Sequence, residues 1–370
     1  VLNTWGKFAV SAFTPTLLNI CLIATMWLGV PQIQALGYPG IYAQALGVML
    51  GGIAQLVLQL WALKKINMLP RIGLTWQAIK TSWQHEDTQR ILRLMLPAVL
   101  GVSVAQISLL INTQIASYLP PGSVSWLSYS DRLMEFPTAL LGVALGVVLM
   151  PQLAAARGAH DAARYSSMID WGLRLVLLFA LPCAVALLVF SRPLVETLFH
   201  YGRFSAHDAS QVTRSLMGYG LGLLGLVAIK VLAPAYFAKG DMKTPVKIAV
   251  VVLIFTQILN YLLVPHLQHA ALTLSISLGA LLNAAWLLTG LIRKGGYSPQ
   301  PGWGKAIAQI VLATAVLGAG LWGVQQYIDW GSLHAIWRVT YLLATMAAVG
   351  LAYFATLALL GFPVRQMMRR

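Results

Sequence analysis

The sequence predicts an all-α fold, a polytopic membrane helix bundle of about ten transmembrane helices. Three observations carry that expectation. Of 370 residues, 58% are hydrophobic and only 9% charged, against about 25% charged in soluble domains. Apolar stretches of about 20 residues recur, the length a helix needs to cross about 30 Å of hydrocarbon with each backbone amide paired in its own segment. The basic residues fall on alternate connections between those stretches. Together these exclude an ordinary water-soluble enzyme.

The spans follow in order. Residues 8–29 form the first, with Pro15 near its start, and residues 39–62 the second, where Gly47 and Gly51 stand four apart and favour close helix approach. The connection 64–94 is long and places Trp76, Ile79, Trp83 and Ile91 among polar residues, as an interfacial amphipathic helix does. Residues 96–118 and 125–153 are the third and fourth spans, and 166–190 the fifth. The stretch 193–204 again has interfacial character. Residues 211–236, rich in glycine, form the sixth span. The last four are 245–265, 269–292, 304–327 and 337–360, each bounded by proline, glycine or charge.

The net charge is +15. With one face called inside, its connections hold eighteen Lys and Arg residues, from Lys7, Lys64, Lys65 and Arg71 to Arg365, Arg369 and Arg370; the other face holds Arg192, Arg203, Arg214 and Arg338. Positive-inside topology accounts for most of the charge and puts the C-terminus inside. Dispersed over alternate loops, these residues form no patch interleaved with stacking aromatics, so no nucleic acid partner is expected. Cys21 and Cys183 sit within apolar runs, and the seven histidines lack metal-ligand spacing, so no metal centre is expected. The chain opens on Val1 without a secretory signal pattern, and its start reads as cut from something longer.

One helix pair occurs twice. Trp5 and Lys7 precede Thr14-Pro15, and the next span runs through Leu46-Gly47 to Lys64-Lys65; Tyr236 and Lys239 precede Thr244-Pro245, and the next span runs through Leu278-Gly279 to Arg293-Lys294. Read as a repeat, spans three to eight form a six-helix unit whose last two helices match spans one and two. Spans one and two are then the tail of an earlier unit without its first four helices, and spans nine and ten are an appendage.

The fourth span carries Asp131, Arg132 and Glu135. A charge near mid-membrane costs roughly 2.5 to 3.5 kcal/mol, so these side chains face a cavity or partners rather than lipid. Two readings stay open. Arg132 and Glu135, three apart, pair within the helix while Asp131 meets a neighbouring helix. Alternatively the guanidinium grips a phosphate while the two carboxylates hold its plane. Pro137 bends the span and opens it toward a cavity. Gln106, Asn112, Gln257 and Asn260 line a cavity, coordinate a cation or bond between helices. Asp170 and Arg174 read as a helix-end ion pair, and Lys230 snorkels or lines the cavity.

At Asp131-Arg132-Leu133-Met134-Glu135-Phe136-Pro137, then Gly142-Val143-Ala144-Leu145-Gly146, the chain resembles the MurJ (MviN) family of lipid II flippases. Leu2-Asn3-Thr4-Trp5, Pro15-Thr16-Leu17-Leu18-Asn19, Gly101-Val102-Ser103-Val104, Asp170-Trp171-Gly172-Leu173-Arg174-Leu175, Leu198-Phe199, Tyr201-Gly202, Lys230-Val231-Leu232-Ala233-Pro234 and Lys243-Thr244-Pro245-Val246-Lys247-Ile248 carry the same likeness. The resemblance implies a fourteen-helix transporter of two six-helix lobes around a central cavity, with two C-terminal helices beside a groove for the lipid tail. The chain is expected to match from just before the family's fifth helix to the C-terminus. By that alignment the arginines of the family's first two helices have no counterpart here, and only Arg132 carries over as a substrate-binding cavity arginine, with Asp131 and Glu135. A cation site known in relatives falls on Asn112, Asn260 and Thr273, with Lys230 beside the cavity and no acidic residue among them.

The resulting expectation is an alternating-access flippase, not an enzyme, that carries lipid II (undecaprenyl-pyrophosphate-linked disaccharide-pentapeptide) across the bacterial inner membrane. No cofactor is expected; the membrane potential is a driving force, and sodium or proton coupling stays open. Lipid II and membrane lipids are the partners, and the protein is a monomer. The organisation reads as residues 1–65, the last two helices of the N-terminal lobe; 66–94, a cytoplasmic amphipathic linker; 95–294, the six-helix C-terminal lobe; and 295–370, two C-terminal helices. The alternatives are a polyprenyl-phosphate transferase or ligase and a drug exporter of the same superfamily. A chain without the first four helices is not expected to transport.

Overall fold

The computed structural model describes residues 8–69, 75–364 and 367. Among the features above, Leu2 to Trp5, Lys7, Arg71, Arg365, Arg369 and Arg370 lie outside the described residues, as do the side chains of Ile79, Arg93, Val102, Val143 and Ala144. Every regular element among the described residues is helical. The chain divides into two compact units, Val1–Arg90 and Ile91–Arg370.

In the first unit, α1 (Phe8–Ala24) continues through a π-helical turn (Thr25–Gly29) into α2 (Val30–Ala35). The expected span ended at Gly29. The helix goes on through a π-helical turn, in which the Val30 amide reaches back to Thr25 O, and this wider register accommodates Pro31, whose ring has no N–H to pair. Next comes α3 (Ile41–Lys65), which packs along α1 with Gly47 and Gly51 buried in the contact. The long connection forms α4 (Trp76–Gln84), with Trp76 and Trp83 exposed. Ile91 belongs instead to the following helix, α5 (Glu86–Ser117), whose first turn carries Glu86 and Asp87 at the positive end of the helix dipole.

The second unit continues α5 and adds α6 (Ser123–Gly158), α7 (Ala162–Val189), the short α8 (Ser191–Phe199), α9 (Ala206–Ala238), α10 (Lys243–Leu267), α11 (His269–Arg293), α12 (Trp303–Tyr327) and α13 (Ala335–Leu359). Its centre is α9, which packs on α6, α7, α8 and α11. Glycines make that possible. A methyl on Gly222 would overlap Ser277, and one on Gly225 would sit 2.7 Å from the backbone of Ala280, so α9 and α11 meet nearly backbone to backbone. Gly220 turns the other way, toward Leu188 of α7. α12 lies on α7 and α13, and α13 also touches α8.

Among the described residues, eight helical stretches are long and apolar enough to cross a membrane, from Ala12–Ala35 and Ile41–Lys65 to Ala335–Leu359. The expected third and fourth spans are not among the eight, although α5 and α6 are present as helices of 32 and 36 residues. α6 carries the charges of Asp131, Arg132 and Glu135.

The repeated helix pair has a structural counterpart. In the α1–α3 pair, Gly47 rests on Leu22 and Thr25; in the α10–α11 pair, Gly279 rests on Val252 and Thr256. Both threonine hydroxyls donate one turn back, Thr25 to the carbonyl of Cys21 at 2.9 Å and Thr256 to that of Val252 at 2.8 Å. A satisfied hydroxyl against a glycine thus closes both pairs.

Candidate functional site

The site grows from α6, a 36-residue helix that tolerates Pro137 and Pro151 inside it. Its start is held by Trp126, whose indole donates to Asp208 of α9 at 2.7 Å and packs beside His207 and His269. One turn further on, Tyr219 of α9 donates its phenol hydrogen to Asp131. Farther along, the stem of Lys230 lies on Gly142; a methyl there would stand 3.0 Å from Lys230 Cγ. Three α9 side chains therefore fix the rotation of α6 about its own axis.

A cavity of about 490 Å³ opens between α5, α6, α9 and α11, lined by Asn112, Leu127, Ser128, Asp131, Tyr219 and Leu272. Asp131 is half-buried there, and Tyr219 is only 4% exposed. Arg132 and Glu135 are both exposed, and among the described residues neither makes a hydrogen bond or an ion pair. The expected Arg132–Glu135 pair is therefore not formed, and no carboxylate holds the guanidinium plane. Successive residues of a helix point about 100° apart, so committing Asp131 to α9 turns Arg132 away from it.

Asn112 and Asn260 are brought together: Asn260 Nδ2 donates to Asn112 Oδ1 at 2.9 Å and to Gln257 Oε1 at 3.1 Å. Asn260 Oδ1 is buried without a partner among the described residues. Thr273 is buried, but its hydroxyl turns back to Ala270 O at 2.9 Å and joins neither amide. Gln106 is exposed. Lys230 is exposed, with its stem along the helix surface. Among the described residues no three His, Cys, Asp or Glu side chains cluster to hold a metal.

The Asp170–Arg174 pair exists at 2.7 Å but belongs to a larger hub. Asp170 Oδ1 also accepts from Tyr297 at 2.8 Å, the amide of Gln300 at 3.0 Å and Trp303 Nε1 at 2.7 Å, tying α7 to the turn before α12. Burial and the neighbouring carboxylate push the Tyr297 phenol upward, so it stays a donor. At the opposite end, buried Arg338 of α13 donates to the carbonyls of Gly331, Leu333, Glu196 and His200. Sequence reasoning missed Tyr219 and Arg338. The signal for Tyr219 was present, a hydroxyl-bearing ring between Gly218 and Gly220 where helices come closest.

The comparisons with known proteins agree on one relationship. A family model described as "Lipid II flippase MurJ" matches residues 1–341. A lipid II flippase MurJ of Burkholderia cenocepacia is 46% identical, with 100% of this chain and 71% of that protein aligned. A probable lipid II flippase MurJ of Haemophilus influenzae is 37% identical over 98% of this chain and 70% of its own length. The solved structure of a lipid II flippase MurJ in an inward closed conformation superposes with a TM-score of 0.75 at 20% identity, covering 100% of this chain and 70% of that one, and shows the same fold. These matches correct the expectation that the likeness is limited to a portion from just before the family's fifth helix: the whole chain matches, because the whole series of helices, the first pair included, carries it. With an identity of 46% along its entire length and a family model covering residues 1–341, the chain belongs to the lipid II flippase MurJ family.

Proposed function

We propose that this protein moves lipid II from the cytoplasmic to the periplasmic leaflet of the bacterial inner membrane by alternating access. The observation that carries the reading is Arg132, an exposed guanidinium on α6 without an internal carboxylate partner, in a chain whose relatives are named as lipid II flippases, transporters rather than enzymes. A planar cation of this kind meets a pyrophosphate through two parallel N–H donors, which a lysine cannot reproduce. Asp131 and Glu135 complete the substrate-binding set, keeping the unoccupied site from being uniformly positive. Asn112, which lines the cavity, and Asn260, which donates to Asn112, form the amide pair that a coupling cation would meet; Thr273 and Lys230, which join neither amide, stand outside that pair.

No cofactor takes part. A membrane potential negative inside favours outward movement of an anionic headgroup by roughly 2.3 kcal/mol per charge per 100 mV. Sodium or proton coupling adds to that force or replaces it. The C-terminus is cytoplasmic, the protein acts as a monomer among membrane lipids, and residues 1–65, 66–94, 95–294 and 295–370 serve as lobe end, linker, C-terminal lobe and tail-groove pair.

The test is lipid II translocation in reconstituted vesicles, read by accessibility of the headgroup to an impermeant reagent. Arg132→Ala is expected to lower the rate tenfold or more, with folding and insertion intact. An unchanged rate removes Arg132 from the mechanism.

A further inference from the structure

A second cavity, of about 530 Å³, lies away from the first, where α6 ends, α7 begins and α9 ends. Arg157 and Lys239 line it. Among the described residues neither forms an ion pair. The nearest acid to Lys239 in sequence, Asp241, is taken by Lys294 at 3.5 Å and by Thr244, whose amide and hydroxyl donate to it at 2.9 and 2.7 Å. Asp161 also lines the cavity, but its Oδ1 caps α7 by accepting from the amide of Arg164 at 2.8 Å. Lys239 Nζ instead stands 5.0 Å above the ring of Tyr165. Burial, with Arg157 and Lys294 close by, holds this ammonium below the ordinary lysine range, as for a cation short of its counter-ion.

The remaining wall supplies donors. Ala162 and Ala163, in the first turn of α7, line the cavity, and first-turn amides have no acceptor within their own helix. A helix N-terminus beside two cations, with the single Asp161 carboxylate already turned to the Arg164 amide, leaves a net positive wall that favours a tetrahedral oxyanion. The cavity lies at the end of this unit where Arg164, Lys243, Lys247, Arg293, Lys294 and Lys305 also gather.

We propose that this cavity binds a phosphate group, with Arg157 and Lys239 as its two cationic clamps and the α7 N-terminus as its amide cradle. The group is the phosphodiester of an anionic phospholipid or the phosphate of a soluble compound. The site stands apart from Arg132 and does not depend on the transport reading.

The protein, in discs of phosphatidylethanolamine with a minor share of phosphatidylglycerol, tests the lipid source by native mass spectrometry of retained lipid. Inorganic phosphate, titrated in detergent and followed by phosphorus resonance broadening, tests the soluble source. Replacing both Arg157 and Lys239 by Gln is expected to reduce binding roughly thirtyfold. Lys243→Gln, which removes a charge from the same end but not from the cavity wall, should leave binding within about twofold, and Lys239→Arg should retain it. Should the double variant fail to fold, Lys239→Gln alone carries the comparison. Binding of either probe that follows this pattern supports the site and identifies its source. Binding of neither probe, or binding that survives loss of both cations, overturns it.

Discussion

The phenol of Tyr219 on α9 donates to the carboxylate of Asp131 on α6, the residue immediately before Arg132. That bond commits one acid to a neighbouring helix and leaves the adjacent guanidinium without an internal counter-charge. Tyr219→Phe removes the donor that seats Asp131 on α9, and with it one of the contacts that set the rotation of α6 and so the direction of Arg132. Translocation should fall several-fold. A single variant that transports at the parent rate would sink the idea.

The geometry of the guanidinium is separable from its charge. Arg132→Lys keeps the cation but loses the two-pronged donor, so it should remain well below the parent rate in vesicle assays, nearer to Arg132→Ala. Full activity would mean that charge alone suffices.

Gly222 and Gly225 set the approach of α9 to α11. Gly222→Ala forces a methyl into Ser277 and is expected to destabilise by about 1–3 kcal/mol, visible as a lower thermal midpoint in detergent. Gly146→Ala, at a position where a methyl meets nothing within 4 Å, is the matched control and should change little.

Asp170 gathers Arg174, Tyr297, Gln300 and Trp303. Asp170→Asn leaves the half-buried Arg174 guanidinium without its counter-charge, though it keeps the bond to Pro301 O, at a cost of about 1–3 kcal/mol. Limited proteolysis should show earlier cleavage in the 295–302 turn. A cleavage pattern identical to the parent's would argue against the hub.

Asp241 caps α10, and its bonds to Thr244, with Lys294 nearby, hold its carboxyl below the ordinary range. A lowered folded-state value means that its stabilisation is present above the usual carboxylate range, near pH 4, and fades as pH falls through the lowered value. Asp241→Ala should therefore lower the thermal midpoint at pH 7, as loss of about 1 kcal/mol would, and the difference from the parent should shrink in acid.

Much of the fold was legible because membrane insertion is decided locally. Apolar length sets where a helix crosses, so it can be read segment by segment without knowing any neighbour. The charged triplet of α6 and the Asp170–Arg174 pair were visible for the same reason, as anomalies within single helices. Tertiary structure alone decided what each group meets. Asp131 turned to Tyr219, 88 residues away in sequence, instead of sharing Arg132 with Glu135, and Asp170 drew in three donors from beyond residue 296. The rotation of a helix about its axis is fixed by glycines and ring hydroxyls on other helices, and linear spacing carries no record of it.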